Sequence, residues 1–290
     1  FPTRRSSDLE IKLLRNLRAL IGVRYIYHEN FKNHATPNVA LMYKPGKFNF
    51  RASYAAGFRT PTLSELYATD IAKKNDRLTI GNLDLKSEKN NYFSLSAEYV
   101  HERFSVSVNA FYNNIRDMID YNTIATGDKA MEQYGHKEVR QRDNIAEAKV
   151  HGINVSANAY LGAGFNLSGG YTHLNTQDVE LEQPIDKSIK NAYNINAQWA
   201  HSWKIYRLNI NLNGRINSKR FSKSYGYAPE YQLWNLNTRH SFNLKSVIIE
   251  PGCGMENLFD YMDDRPYNSN YATLTPGRSF YISLSLKFKS

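Results

Sequence analysis

Residues Tyr206 to Arg215, YRLNINLNGR, alternate without a break: Tyr206, Leu208, Ile210 and Leu212 fall on one side, Arg207, Asn209, Asn211, Asn213 and Arg215 on the other. A side-chain period of two is that of a β-strand with one apolar and one polar surface. The pattern recurs along most of the 290 residues, so the chain reads as one large antiparallel sheet whose two sides meet different surroundings. Two architectures satisfy that condition: a soluble sheet with one buried face, and a membrane barrel with one side toward lipid and the other toward a lumen.

Composition narrows the choice. No stretch approaches the roughly 18 consecutive apolar residues of a transmembrane helix, and mean hydropathy is -0.59. A helical membrane protein is excluded; a barrel is not, because every second residue of its strands faces a polar interior. Tyrosine, with 21 copies against 14 Phe and 3 Trp, suits positions where a ring is apolar on one side and wet at its tip. The face opposite the apolar one is rich in Asn, Ser, Arg and Gly and poor in Glu and Lys, as a lumen is and a solvated outer face is not.

The net charge of +10 is spread over strands and loops without the aromatic–basic signature of an RNA-binding module, so no nucleic acid partner is expected. Cys253 is the single cysteine, which leaves no intrachain disulfide and no thiolate metal cluster. The eight histidines have no zinc spacing, Gly252 and Gly254 lack the third glycine and the helix of a dinucleotide site, and no GxSxG elbow occurs. These residues predict neither catalytic machinery nor a metal or organic cofactor, so an enzyme is not expected.

Strands follow from alternation and turn residues. Phe48, Phe50, Ala52 and Tyr54 oppose Asn49, Arg51 and Ser53; Phe93, Leu95, Ala97 and Tyr99 oppose Ser94, Ser96 and Glu98; and Phe280, Ile282, Leu284, Leu286 and Phe288 close the chain. About twelve strands result, with Glu10 to Leu14 the stub of another. Short turns near residues 45, 102, 163, 203 and 245 alternate with long connections at Thr60 to Lys89, Ile119 to Val139 and Asp260 to Gly277. Outer-membrane barrels keep that parity, short turns in the periplasm and long loops outside. Ala146, Ala148 and Val150 are out of phase with Ile153 and Val155, which predicts a β-bulge near His151-Gly152. The opening FPTRRSSDL has no apolar h-region and is no signal peptide; it resembles translated sequencing-adapter DNA, so residues 1–9 are expected to be foreign and the native barrel portion to occupy 10–290.

Four segments carry a family resemblance. Gly57 to Tyr67, GFRTPTLSELY, with Phe58, Arg59, Pro61, Glu65, Leu66 and Tyr67, resembles the GFRAPTLxELY motif of TonB-dependent outer-membrane receptors. Gly81 to Glu88, with Asn82, Leu85 and Glu88, is similar to the family's GNPxLKPE motif, and Asn144 to Val155 to its NxxxAxxxGxEx strand. Asn257, Leu258, Phe259 and Asp260, then Gly277 and Arg278, resemble the C-terminal NLFD and PGR pattern. The four occur in family order across residues 10 to 290.

The resemblance implies a transmembrane antiparallel up-and-down β-barrel of about 22 strands around a plug. This chain would form its C-terminal part, with the plug, the TonB-contacting segment and the signal peptide in the missing N-terminal part. It implies energy-coupled uptake of a scarce nutrient across the Gram-negative outer membrane, a ferric siderophore or similar metal chelate being the first choice. The partners it implies are lipid, the plug, the TonB complex and the small ligand. Cobalamin, haem and oligosaccharide importers, or a passive porin, are alternatives, and Thr60 to Asn82 lacks the histidine that haem receptors carry there.

Within that frame Thr62 is expected to cap a helical turn over Leu63 to Tyr67, and Asn257 and Asp260 to cap a turn at a strand end. The lumen-facing Arg18, Arg24, Arg51, Arg207 and Arg215 are expected to pair with carboxylates of the plug and of the barrel, such as Glu98. Arg59 with the loop aromatics Tyr134, Tyr225, Tyr227, Tyr267 and Tyr271 are the candidate contacts for an anionic chelate.

Overall fold

The computed structural model describes residues 3–28, 32–222, 226–263 and 275–289; Tyr225, Tyr267 and Tyr271 lie outside them. The chain opens with β1 (Thr3–Leu14), β2 (Leu17–His28), β3 (Lys32–Tyr43) and β4 (Phe48–Arg59). A folded connection follows, made of α1 (Leu63–Tyr67), β5 (Thr69–Ala72) and β6 (Arg77–Ile80). Next come β7 (Glu88–Val100), β8 (Phe104–Thr126), α2 (Gly127–Tyr134), β9 (Glu138–Gly162), β10 (Phe165–Asp178), β11 (Asn191–Trp203) and β12 (Tyr206–Asn217). A small hairpin, β13 (Arg220–Ser222) and β14 (Gly226–Ala228), precedes β15 (Tyr231–Asn243), β16 (Val247–Glu256) and β17 (Ser279–Phe288).

Thirteen of these strands, all but β5, β6, β13 and β14, form one antiparallel sheet in which each pairs with its neighbour in sequence, from β1 to β17. The two ends do not meet, so the sheet is open. The expected stub is a full strand: Thr3–Leu14 pairs with β2 along its length, because Asp8 through Lys12 continue the extended run that Leu14 ends.

The register assigns the faces. Tyr206, Leu208, Ile210 and Leu212 stand beside Trp203, His201, Trp199 and Ala197 of β11 and beside Phe242, His240, Thr238 and Leu236 of β15. Arg207, Asn209, Asn211 and Asn213 stand beside Ser202, Ala200, Gln198 and Asn196. Outward apolar side chains, such as Leu95 and Ile282, remain exposed on the sheet surface, where lipid covers them in a barrel. The inner face is closed by short polar contacts, Ser53 to Ser94 and Ser107 to Ser156 at 2.7 Å and Thr172 to Asn154 at 2.9 Å.

Aromatic rings form two girdles on the outer face. Near the short turns, Phe48 meets Tyr99 at 4.9 Å, Trp203 meets Tyr206 at 5.5 Å and Tyr206 meets Phe242 at 5.0 Å. Toward the long connections, Tyr54 meets Phe93 and Tyr171 meets Tyr193, each at 4.8 Å. From Tyr193 to Trp203 on β11 a strand tilted by about 40° rises about 25 Å, the height of an outer-membrane apolar band. The short turns all lie at one end, as the sequence parity implies. At Gly164, in the turn between β9 and β10, φ is +85° and a Cβ would lie 1.9 Å from the Ala200 carbonyl oxygen, so only glycine closes that turn.

Two expectations require correction. No bulge occurs at His151-Gly152: β9 stays in register there with both β8 and β10. Ala148 and Val150 remain on the inner face, opposite Ile115 and Asn113. The phase of the apolar residues changes because β9 leaves the bilayer, and apolar groups then pack inward against a loop rather than outward against lipid. The irregularities lie further out: on β8 between Ile115 and Met118, where Asp117 has φ +55°, on β9 between Ala146 and Asn144, and on β8 between Thr123 and Ala125. Likewise the stretch Ile119 to Val139 is not an irregular connection: β8 and β9 remain paired through Thr126 and Glu138 and are joined by α2.

Candidate functional site

The connection between β4 and β7 folds onto the outward extension of β8 and β9, and the motif residues hold it there. Thr62 and Glu65 form a capping box on α1: Thr62 Oγ1 accepts the Glu65 N–H at 3.2 Å and Glu65 Oε2 accepts the Thr62 N–H at 2.8 Å. Arg59, at the end of β4, donates to Glu65 at 2.9 Å and through Nε to Glu88 at 2.7 Å and Nη2 to Glu88 at 2.5 Å. Glu88 also accepts the Ile119 N–H of β8 at 2.8 Å. One guanidinium therefore ties β4, α1, β7 and β8 together.

Asn144 of β9 completes the lock. Its Oδ1 accepts the Lys86 N–H at 2.6 Å, and its Nδ2 donates to the carbonyls of Lys86 at 3.0 Å and Asp117 at 2.6 Å. Leu66 and Leu85, from the two motifs of the connection, pack against Ile119 as a buried cluster, while Phe58 stacks on His34 with centroids 4.1 Å apart. Tyr67 and Pro61 flank this cluster, exposed and buried respectively, and Asn82 Oδ1 turns the chain by accepting the Asp84 N–H at 2.9 Å.

These contacts set the charge states at the outer rim. The Arg59 pKa is raised by its hydrogen bonds to Glu88 and then Glu65. For Glu88, burial favours the neutral acid, but the hydrogen bonds from Arg59 and from the Ile119 N–H outweigh it and hold the pKa below the usual range. Glu65 follows the same logic, with burial opposed by Arg59 and by the Thr62 N–H and hydroxyl. Arg59 is thus neutralised by two carboxylates.

Near this lock the connection encloses a pocket of about 260 Å³. Strand β6 pairs in parallel with β9, setting Arg77 beside Glu138 and Thr79 beside Arg140. Arg77, Arg140 and Arg142 converge there with Tyr121 of β8 and Asp70 of β5. The Arg142 guanidinium carbon lies 3.6 Å from the centre of the Tyr121 ring, Arg140 Nε donates to Glu138 at 2.5 Å, and Arg77 Nε is buried without a hydrogen-bond partner. Leu78 and Val139, which alternate with the pocket-lining Arg77 and Arg140, form a separate apolar cluster with Ala130, and Ile80, Ala125 and Tyr134 pack against it. The tip of the β5–β6 hairpin is tied down by Asp76, which meets His136 Nδ1 at 2.8 Å and is held below its ordinary pKa by that bond.

The candidate contacts fall in different places. Arg59 belongs to the lock, Tyr134 packs against the Leu78, Ala130 and Val139 cluster, and Tyr227 stands on the β13–β14 hairpin, exposed and edge-on to Phe221 at 5.4 Å. Arg18 pairs with Glu10 at 3.1 Å, whereas Glu98 accepts from Asn49 at 3.2 Å rather than from an arginine. Arg24, Arg51, Arg207 and Arg215 have no ion-pair partner among the described residues. Arg77, Arg140, Arg142 and Tyr121 were not singled out from sequence; the alternating Arg140-Gln141-Arg142 was the available signal.

The C-terminal pattern is likewise structural. Asn257 (φ +51°) accepts the Tyr261 N–H and donates to the Tyr261 carbonyl, both at 2.8 Å. Asp260 accepts the Arg278 N–H at 2.7 Å beside Gly277 (φ +75°). The Leu258 N–H bonds the Trp234 carbonyl at 2.7 Å, and Phe259 meets the Trp234 ring at 6.4 Å. The capping expectation holds for Asn257, whereas the Asp260 side chain reaches across the connection to the residue before β17.

Against known families, residues 7–258 match the model described as TonB dependent receptor-like, beta-barrel. The chain belongs to the TonB-dependent receptor family. Members of this family are transporters of the Gram-negative outer membrane rather than enzymes. Among solved structures, a mutant of the ferric enterobactin receptor PfeA from Pseudomonas aeruginosa is 19% identical with a TM-score of 0.79, covering 99% of this chain and 45% of that one. The siderophore receptor PirA from Acinetobacter baumannii is 16% identical with a TM-score of 0.77, covering 99% and 46%. The copper transporter OprC is 12% identical with a TM-score of 0.73, covering 98% and 47%. The chain thus spans about half the length of the receptors it resembles, and the open sheet is a partial TonB-dependent barrel. No helix among the described residues is long and apolar enough to cross a membrane; the strands are the crossing elements.

Proposed function

We propose that this barrel serves energy-coupled uptake of an anionic metal chelate, a ferric siderophore being the first choice. The plug and the TonB-contacting segment belong to the rest of such a receptor. The observation that carries this reading is the convergence of Arg77, Arg140 and Arg142 on Tyr121 in one pocket of the loop layer. Arginine forks and a phenol ring supply charge, hydrogen bonds and a stacking face for a chelate whose oxygen donors leave net negative charge on aromatic rings. Siderophore receptors among the structural neighbours support the same choice of cargo.

Binding of a ferric tris-catecholate by a complete receptor carrying this barrel tests the reading. Replacing Arg77 and Arg142 together by glutamine removes charge-assisted bonds of about 1.5–3 kcal/mol each, so affinity should fall by at least about 100-fold. A neutral ferric hydroxamate should bind weakly to both forms. Unchanged tris-catecholate affinity in the double variant, or equal affinity of the parent for both chelates, would reject the pocket as the chelate site.

A further inference from the structure

The outer face carries a second built feature, at the level where the upper aromatic girdle meets the loops. Successive cross-strand rows on β3, β4, β7, β8 and β9 change character in a fixed order. The lowest row, Leu41, Ala52, Leu95 and Ala110, alternates long and short apolar side chains. The next, Tyr54, Phe93 and Tyr112, is aromatic. Together they line an apolar groove of about 540 Å³, whose floor is low because Ala52 and Ala110 are short. Above them lie amides: the Tyr54 hydroxyl donates to Asn91 at 2.8 Å, and Asn114 opposite Asn91 is buried with its Oδ1 unpartnered. The top is cationic. Lys89 stands directly opposite Arg116, and Lys149 extends the amide row below them, opposite Asn114.

Two of these three cations share one carboxylate. Glu147 lies 3.9 Å from both Arg116 and Lys149, and Lys89 has no ion-pair partner among the described residues. Like charges directly opposite on paired strands destabilise the pair, and a net charge of +2 just beyond an aromatic girdle sits at headgroup depth. An anion between Lys89 and Arg116 removes that repulsion, and the groove below accepts a hydrocarbon chain.

We propose that this column of rows is a binding site for a phosphorylated lipid of the leaflet on the long-loop side. The phosphate lies among Lys89, Arg116 and Lys149, and an acyl chain lies in the groove between Leu41 and Ala110. The lipid completes the charge balance of the outer rim and stiffens β7 to β9, from which the folded connection is hung.

The test uses a complete receptor carrying this barrel, purified in detergent and stripped of lipid, with binding read by native mass spectrometry. Dioleoyl phosphatidic acid should be retained about 30-fold more than dioleoylglycerol, from roughly 1 kcal/mol per cation near the surface less the share of Glu147. Lys89→Gln, Arg116→Gln and Lys149→Gln together should bring the two lipids within about twofold of each other. Ala52→Leu with Ala110→Leu, which fills the groove, should weaken both lipids and leave the preference intact. Lys89→Gln alone should lower the preference part-way, a readout that stands if the triple variant fails to assemble. Equal retention of the two lipids by the parent, or an undiminished preference in the triple or single variant, would overturn the proposal. So would displacement of phosphatidic acid by inorganic phosphate at equal concentration, since the groove would then contribute nothing.

Discussion

Expressed alone and refolded into detergent micelles or lipid, the 290-residue chain should give no protease-protected, heat-modifiable monomeric barrel. Its sheet has two free edges, β1 of 12 residues and β17 of 10. About half the backbone groups along each edge lack a partner, and each costs several kcal/mol in hydrocarbon, so exposure of both edges costs tens of kcal/mol. That exceeds the net stability of an ordinary domain, about 5–15 kcal/mol. Closure by the remaining strands of a receptor removes the penalty at once, so a complete receptor carrying these residues should show the gel shift. A protected monomeric band from the isolated chain would mean that the open sheet is not its membrane form.

The second large effect belongs to the lock at Arg59. Glu88→Ala removes both guanidinium bonds to that carboxylate and the acceptor of the Ile119 N–H. Because the Arg59 side chain is 44% exposed, solvent screens part of the loss, and about 2–3 kcal/mol of local stability should go. Opening of the 60–88 connection, read by hydrogen exchange or by proteolytic nicking, should rise on the order of 30- to 150-fold. Glu88→Gln, which can still accept the Ile119 N–H, should fall between parent and alanine.

Acid should act on the same lock. Glu65 and Glu88 titrate below their ordinary values, so their stabilisation is complete above the unfolded carboxylate pKa of about 4.3 and is lost as pH falls through the depressed folded values. Nicking of the connection should therefore be flat from neutral pH down to about 5 and climb below about 4. In the Glu88→Ala variant the acid rise should shrink, since one of the two titrating groups is gone. A nicking rate independent of both the substitution and acid would show that the connection is held by something else.

How far these features were legible from sequence follows from their range. The faces of Tyr206 to Arg215 and the capping box at Thr62 and Glu65 are local, set by a period of two and a spacing of three, and both stand as expected. The parallel pairing of β6 with β9 joins residues about sixty positions apart across a folded connection, and no local pattern announces it. Arg77, Arg140 and Arg142 meet only through that pairing, so no local pattern marks their pocket, whereas the more conspicuous ring of Tyr134 packs against the Leu78, Ala130 and Val139 cluster. The outward extension of β8 and β9 was missed for a related reason. Beyond the bilayer the apolar residues change sides, and Ala148 and Val150 then look like a bulge at His151-Gly152, where the backbone has none.

The two faces of the sheet can be tested directly by spin labels placed singly at positions 206 to 215 of a complete receptor in lipid, with collision rates measured for oxygen and for a water-soluble nickel chelate. Labels at Tyr206, Leu208, Ile210 and Leu212 should be high in oxygen and low in nickel, and labels at Arg207, Asn209, Asn211 and Asn213 the reverse, in strict alternation. Equal accessibility to oxygen at consecutive positions, or an inverted phase, would contradict a lipid-facing outer surface and a lumenal inner one.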